Sequence, residues 1–239
     1  QSNLDGYFRM TCDWYFVDET ITPIGQHGYA TDEDGSTYDP EFVGNGAYVQ
    51  NLTEATPFTG KFDGQGHQIR RFKVGVDSWS VNGFAASLFG YIGQGAVVEN
   101  IVIRQAEYIG KRIAFIACVN EGTISNVLIE STCSAKQTFG NENCALVCIN
   151  TASGVIDNVV SYLTKGTNSA GSTNKVPQIV ACLENRAGEA AITDFYVVVA
   201  DRTQDTSIFK GLDGWTIIEN VGPAFGNYVI AVPETTAPQ

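Results

Sequence analysis

Four stretches of this chain repeat one pattern, and that repetition limits the folds open to it more than any other feature. They are LFGYIGQGAVVENIVI (88–103), FIACVNEGTISNVLI (115–129), ALVCINTASGVIDNVVS (145–161) and IVACLENRAGEAAITDFYV (179–197). Each runs an apolar segment into a short polar turn, then into a second apolar segment carrying Asn or Asp. Aligned, Val98, Ile124, Ile156 and Ile192 share a column; Asn100, Asn126, Asn158 and Asp194 follow two places on, and Ile101, Val127, Val159 and Phe195 come next. Upstream, Tyr91, Cys118, Cys148 and Cys182 align, followed by Ile92, Val119, Ile149 and Leu183. The segment FTGKFDGQGHQIRRFKV (58–74) joins the set with Ile69, Phe72 and Val74 under Val98, Ile101 and Ile103. That alignment puts Arg71 at the head of the Asn column, with spacings of 29, 26, 32 and 36 residues. Columns that hold while turns vary in length describe units that stack, with insertions leaving at the corners.

The units should be strands. No segment sustains a 3.6-residue apolar period, because Asn, Thr, Gly and Val interrupt every candidate. Only 17% of residues are charged, and there are 25 Gly, 13 Phe and 10 Tyr, a balance that favours sheet over helix. The expected fold is all-β: a right-handed parallel β-helix of about five coils, closed by N- and C-terminal capping segments. Residues 1–57 would hold an N-terminal strand and a capping insertion, 58–200 the repeats, 201–231 a C-terminal cap around Trp215, and 232–239 a Pro/Thr-rich linker. Inward Ile and Val would form ladders, each buried side chain contributing roughly 1.5–3 kcal/mol. Asn at a repeated corner tolerates a left-handed backbone, and its amide both donates and accepts, so stacked copies can bond to one another. Cys118, Cys148 and Cys182 read as small buried residues in one column. Cys133 and Cys144 flank a loop they could close, although free thiols are the default expectation.

The residues also carry a family likeness. PFTGKFDGQGHQIRRFKV followed by SLFGYIGQGAVVENIVI resembles the GLUG-motif family of bacterial surface proteins. Phe58, Thr59, Gly60, Phe62, Asp63, Gly64, Gly66 and His67 match its lead-in. YFVDETITPIG (15–25) is similar to the family's N-terminal strand, and GLDGWTIIENVGPAF (211–225) to its closing segment. The resemblance implies β-helix coils in secreted or surface-anchored, adhesin-like proteins, with no catalytic set to carry over. This chain departs from the pattern twice. Only Gly90 and Tyr91 keep the family's Gly-Tyr pair, where later repeats have Ala117-Cys118, Val147-Cys148 and Ala181-Cys182; and residues 26–56 replace a short link.

Net charge is −12, which disfavours nucleic acid and anionic membrane surfaces as partners. The longest apolar runs are too short to span a bilayer. With Gln at position 1 and a VPETTAPQ end, the chain reads as a module of a longer exported protein. The expected partners are host or matrix glycans or proteins, with no cofactor, and the expected location is extracellular. Tyr29, Tyr38, Phe42 and Tyr48 on the insertion are the candidate contacts, as amphipathic aromatics on a loop held by a rigid scaffold. The insertion would also cover an exposed sheet edge. Asp32, Asp34, Asp39 and Glu41 in TDEDGSTYDPE could wrap calcium, but Ser36 and Val43 break the EF-hand pattern, and a solvated acidic loop is expected. Asn51-Leu52-Thr53 matches a glycosylation acceptor, a pattern too short to decide anything.

Two readings as chemistry remain. Asp63 and His67 could form an acid/base pair, but Asp-Gly-Gln-Gly reads better as a turn in which Asp63 bonds its own backbone. Glu99, Ser125, Asp157 and Thr193 share an outward column, so its acids stand two strands apart, about 10 Å, beyond the spacing for inverting hydrolysis. The leading expectation is a non-catalytic surface module. A polysaccharide-active enzyme using those outward acids, or a plain spacer, are the alternatives.

Overall fold

The computed structural model describes residues 3–26, 30–31, 37–38, 51–52, 55–75, 85–110, 112–130, 133–137, 144–161, 166–168, 179–199, 215–219 and 229–233. These form an all-β protein whose two large sheets are mainly parallel. The N-terminal strands are β1 (Tyr7–Arg9), β2 (Trp14–Ile21), β3 (Ala30–Thr31), β4 (Thr37–Tyr38), β5 (Asn51–Leu52), β6 (Lys61–Asp63) and β7 (Gln68–Gly75). Next come β8 (Ala85–Ala86), β9 (Phe89–Ile92), β10 (Val97–Arg104), β11 (Glu107–Gly110), β12 (Arg112–Asn120), β13 (Thr123–Ile129) and β14 (Ser134–Gln137). The last are β15 (Cys144–Asn150), β16 (Val155–Ser161), β17 (Gly166–Asn168), β18 (Ile179–Asn185), β19 (Ile192–Val199), β20 (Trp215–Glu219) and β21 (Val229–Pro233).

Each repeat contributes a strand to both large sheets. In one sheet the order β7-β10-β13-β16-β19 is parallel; in the other β18-β15-β12 is parallel, with β8 and β9 also on β12. Val98 pairs with Ile124, Ile124 with Ile156, and Ile156 with Ile192, so this column lies in one sheet in unbroken register. Ile101, Val127, Val159 and Phe195 form the second inward row, all buried. The outward row Glu99–Ser125–Asp157–Thr193 is also in register. Period-2 alternation therefore holds on both sides of each Asn.

The first repeat sits differently from its expected alignment. Phe62, not Ile69, pairs with Val98; Ile69 pairs with Ile103, and Val74 with Tyr108. The cause is the turn. Residues 64–67 connect β6 to β7 where later repeats pass through a single Asn, so aligning on the apolar residues after the turn slips the register. Arg71 consequently leaves the Asn column. Arg70 pairs with Arg104 and Lys73 with Glu107, which sets Arg71 (φ 56°) level with Gln105 (φ 51°) at the next corner. There Asp18 and the Tyr15 hydroxyl bind its guanidinium.

The cysteine column is also corrected. Tyr91 pairs with Val119 rather than lying level with Cys118, and Cys182 pairs with Val147 rather than with Cys148. Cys118 and Cys148 share a face, buried with Ala114, Val119 and Ile149 in a small cluster apart from the main core. Cys182, one residue out of step, packs on the main core instead, where burial pushes its thiol up to about 12. Cys133 is a free buried thiol donating to the Ile103 carbonyl at 3.5 Å, so it does not close the loop to Cys144. Burial raises it to about 11.

The two ends of the larger sheet are finished by different strands. Among the described residues the outermost N-terminal strands of the larger sheet are β1, paired with β6, and β2, paired with β7. The insertion leaves at Gln26 and returns at Thr56, two residues joined by reciprocal backbone bonds of 2.8 and 2.7 Å. Its neighbours Ile24 and Phe58 bridge to Phe89 and Ile92 of β9, so it is rooted beside the smaller sheet. Strands β3, β4 and β5 form their own antiparallel sheet. At the other end β21 runs antiparallel to β19 and β20 joins it, occupying an edge that would otherwise invite association.

Aromatic rings fill the N-terminal half of the core. Phe16, Phe72, Tyr108 and Phe115 form a chain of edge contacts with centroids 6.2, 5.7 and 4.9 Å apart. Tyr108 is fully buried and donates its hydroxyl to the Phe115 carbonyl at 2.9 Å. The inward row Ile69–Ile103–Ile129 continues through Ser161, which pairs with Val197 and is buried with a hydroxyl that finds no partner among the described residues. An unpaired buried hydroxyl costs about 1–3 kcal/mol. Ser161→Ala is therefore expected to raise stability by about 1 kcal/mol, measured by urea unfolding at constant slope.

Candidate functional site

Asn100, Asn126 and Asn158 have φ of 58°, 53° and 49°, and Asp194 follows at 48°. One left-handed residue folds each strand, and Asn is the non-glycine side chain that bears this most readily. On the outside of the fold runs a groove of about 710 Å³ lined by Gln65, Gly66 and the Asn100, Asn126 and Asn158 corners, with Val102, Leu128 and Val160 beyond them. The amides form a chain. Asn158 Nδ2 donates to Asn126 Oδ1 at 2.7 Å, Asn126 to Asn100 at 3.0 Å, and Asn100 to Asp63 Oδ1 at 2.9 Å. Asp194 stands in the same column but accepts from the Tyr196 hydroxyl at 2.9 Å.

Asp63 ends the chain as an acceptor. Its carboxylate also receives the Gln65 backbone N–H at 2.9 Å, the Gln65 amide, and the Tyr7 hydroxyl at 3.4 Å. Burial pushes the Asp63 carboxyl up, but the bonds from Asn100 and Gln65 and the charge of Lys61 outweigh it, leaving a net shift downward. The Asp-Gly-Gln-Gly turn packs on the neighbouring corner so tightly that a Cβ at Gly64 would lie 2.3 Å from the Asn100 carbonyl oxygen. His67 points elsewhere, its Nδ1 3.3 Å from Asp13. Asp63 and His67 are thus parts of a turn with separate partners.

The outward acids are occupied too. Glu99 pairs with Lys61 at 2.6 Å, and Asp157 accepts from the Thr193 hydroxyl. Ser125 stands between them in the row. Among the described residues no three His, Cys, Asp or Glu side chains come together as a metal site, and no helix is long and apolar enough to cross a membrane. Of the candidate contacts on the insertion, Tyr29, Phe42 and Tyr48 lie outside the described residues. Tyr38 lies in β4 opposite Ala30. Asp32, Asp34, Asp39 and Glu41 are outside them as well.

A second amide chain escaped the sequence reading. Asn120 Nδ2 donates to Asn150 Oδ1 at 2.8 Å, and Asn150 to Asn185 at 3.2 Å. Asn120 and Asn150 are fully buried, and each also clasps the turn that follows: Gly122 N–H donates to Asn120 at 3.2 Å, and Asn150 donates to the Gly154 carbonyl at 3.1 Å. A Cβ at Gly154 would lie 2.2 Å from Asn150 Oδ1. The signal was in the segments CVN, CIN and CLEN, whose Asn closes β12, β15 and β18.

Comparison with protein-family models, curated proteins and solved structures finds no match to this chain in any of the three.

Two outcomes follow from the groove's geometry. Asn126→Ala loses the amide bonds and forces a Cβ residue into the left-handed region without Asn's local compensation, whereas Asn126→Gly loses only the bonds. The alanine variant should be less stable than the glycine variant by roughly 1 kcal/mol in urea unfolding. Asp63 titrates below its ordinary 3.8 in the folded protein, so its stabilisation is complete above that pH and is lost as pH falls through the lowered value. Asp63→Asn should flatten that acid limb, read as urea midpoints between about pH 5 and about pH 2.

Proposed function

We propose that the chain is a non-catalytic extracellular module of a bacterial surface protein. In this reading the parallel sheets are faces of a right-handed β-helix, a rigid scaffold that presents an insertion to host or matrix glycans or proteins. The observation that carries it is the unbroken register Val98–Ile124–Ile156–Ile192, since a stack in strict register holds whatever hangs from it in a fixed position. The Phe58–His67 lead-in, similar to that of GLUG-motif surface proteins, supports the location. The separation of Glu99 from Asp157, each already engaged, supports binding over hydrolysis.

The joined pair Gln26 and Thr56 makes the test clean, because residues between them can be replaced by a short Gly-Ser turn at the root. On an array of matrix proteins and glycans, the full chain should bind at least one member that the shortened chain does not, while both unfold at the same urea concentration. Equal binding by both would refute display through the insertion.

A further inference from the structure

We infer that the asparagine-lined groove is itself a binding site, for one uncharged linear glycan lying across the strands with about one sugar per strand. This rests on the binding-module reading above and adds to the contact displayed by the insertion a second one on the body of the fold.

Three observations select that ligand. The first is spacing. The corners repeat at the strand separation, about 4.8 Å, which a chain of pyranose rings matches at roughly 5 Å per sugar. An extended peptide advances only about 3.3 Å per residue and falls out of step within a few strands. The second is valence. An amide has two N–H groups and a carbonyl with two lone pairs, and the ladder uses one N–H and one lone pair of Asn126, leaving a donor and an acceptor for sugar hydroxyls. Beside the amides, Val102, Leu128 and Val160 form a half-buried apolar stripe against which the C–H face of a sugar can lie. Tyr196 pairs with Val160 and extends the stripe with a ring; Gln68 pairs with Val102 at the other end.

The third is charge. On the other side of the Asn corners from the stripe, on the same strands, runs the row holding Asp157 and the Lys61-paired Glu99, and Asp194 closes the corner column, on a chain of net charge −12. Polyuronates and polyphosphates are repelled there, and a neutral chain is not. The volume, about 710 Å³, lies within the roughly 300–1,000 Å³ typical of small-ligand sites.

The test titrates the full chain calorimetrically with neutral gluco-, xylo-, manno- and N-acetylglucosamine oligosaccharides, from disaccharide to hexasaccharide, and with oligogalacturonides. At least one neutral series should bind, more tightly with each added sugar until the groove is filled, and the oligogalacturonides should bind more weakly. Leu128→Asp puts a charge on the outward stripe and should weaken that binding roughly tenfold or more. If that variant unfolds, Leu128→Ser carries the same test with a smaller loss. The chain shortened between Gln26 and Thr56 should bind as well as the full one. Absence of binding in every neutral series, or binding that the Leu128 variants leave unchanged, overturns the groove. Binding that survives the Leu128 change but disappears with the insertion overturns the groove and leaves the insertion reading standing.

Discussion

One residue per repeat, held in a left-handed conformation, sets the shape of this protein. A straight strand of seven or eight residues would give a flat sheet with one buried side. The break at Asn100, Asn126 and Asn158 turns each strand midway, so that Val98 and Ile101, three places apart, both point into the core. The bend would be unfavourable for most side chains. Asn accepts it, and stacking lets each amide satisfy the next. Backbone conformation, core and outer groove thus follow from one choice of residue repeated at one place.

The second amide chain does a different task. Asn120, Asn150 and Asn185 close β12, β15 and β18 of the smaller sheet and hold the turns that follow. Asn120 and Asn150 are buried, so each must satisfy its polar atoms within the protein, and they do so through one another and the adjoining turn backbone. Between the two amide chains lie the inward rows of Ile, Val and Phe. A residue inserted inside a strand has to be absorbed as a bulge, as β12 does between Ala114 and Ala117 against β15, whereas one inserted in a turn breaks neither register. That is why the repeats tolerate offsets of 26, 32 and 36 residues between Val98, Ile124, Ile156 and Ile192.

Much of this was legible in the residues. The apolar columns, the outward row through Glu99 and the amide contacts of Asn100, Asn126 and Asn158 follow from alternation and a constant offset. The failures share a cause: a column was anchored on the wrong side chain. Ile69 looked like Val98 because both open an apolar run, but a multi-residue turn stands where the later repeats have one Asn. Cys182 looked like Cys148, yet Asn185 follows it by three residues where Asn120 and Asn150 follow their cysteines by two. Polar corners fix the register here, and a smaller hydrophobe can slip by one. The groove was hidden for another reason: concavity depends on the sense of the bend, which side-chain order does not record.

The two amide chains run in opposite senses. On the outside, hydrogens point from Asn158 back towards Asp63; within, they point from Asn120 onward to Asn185. Each chain alone would be a growing electric dipole, and lengthening the protein would strengthen it. Opposed, they largely cancel, so a further repeat can be added without making either end more strongly charged than before.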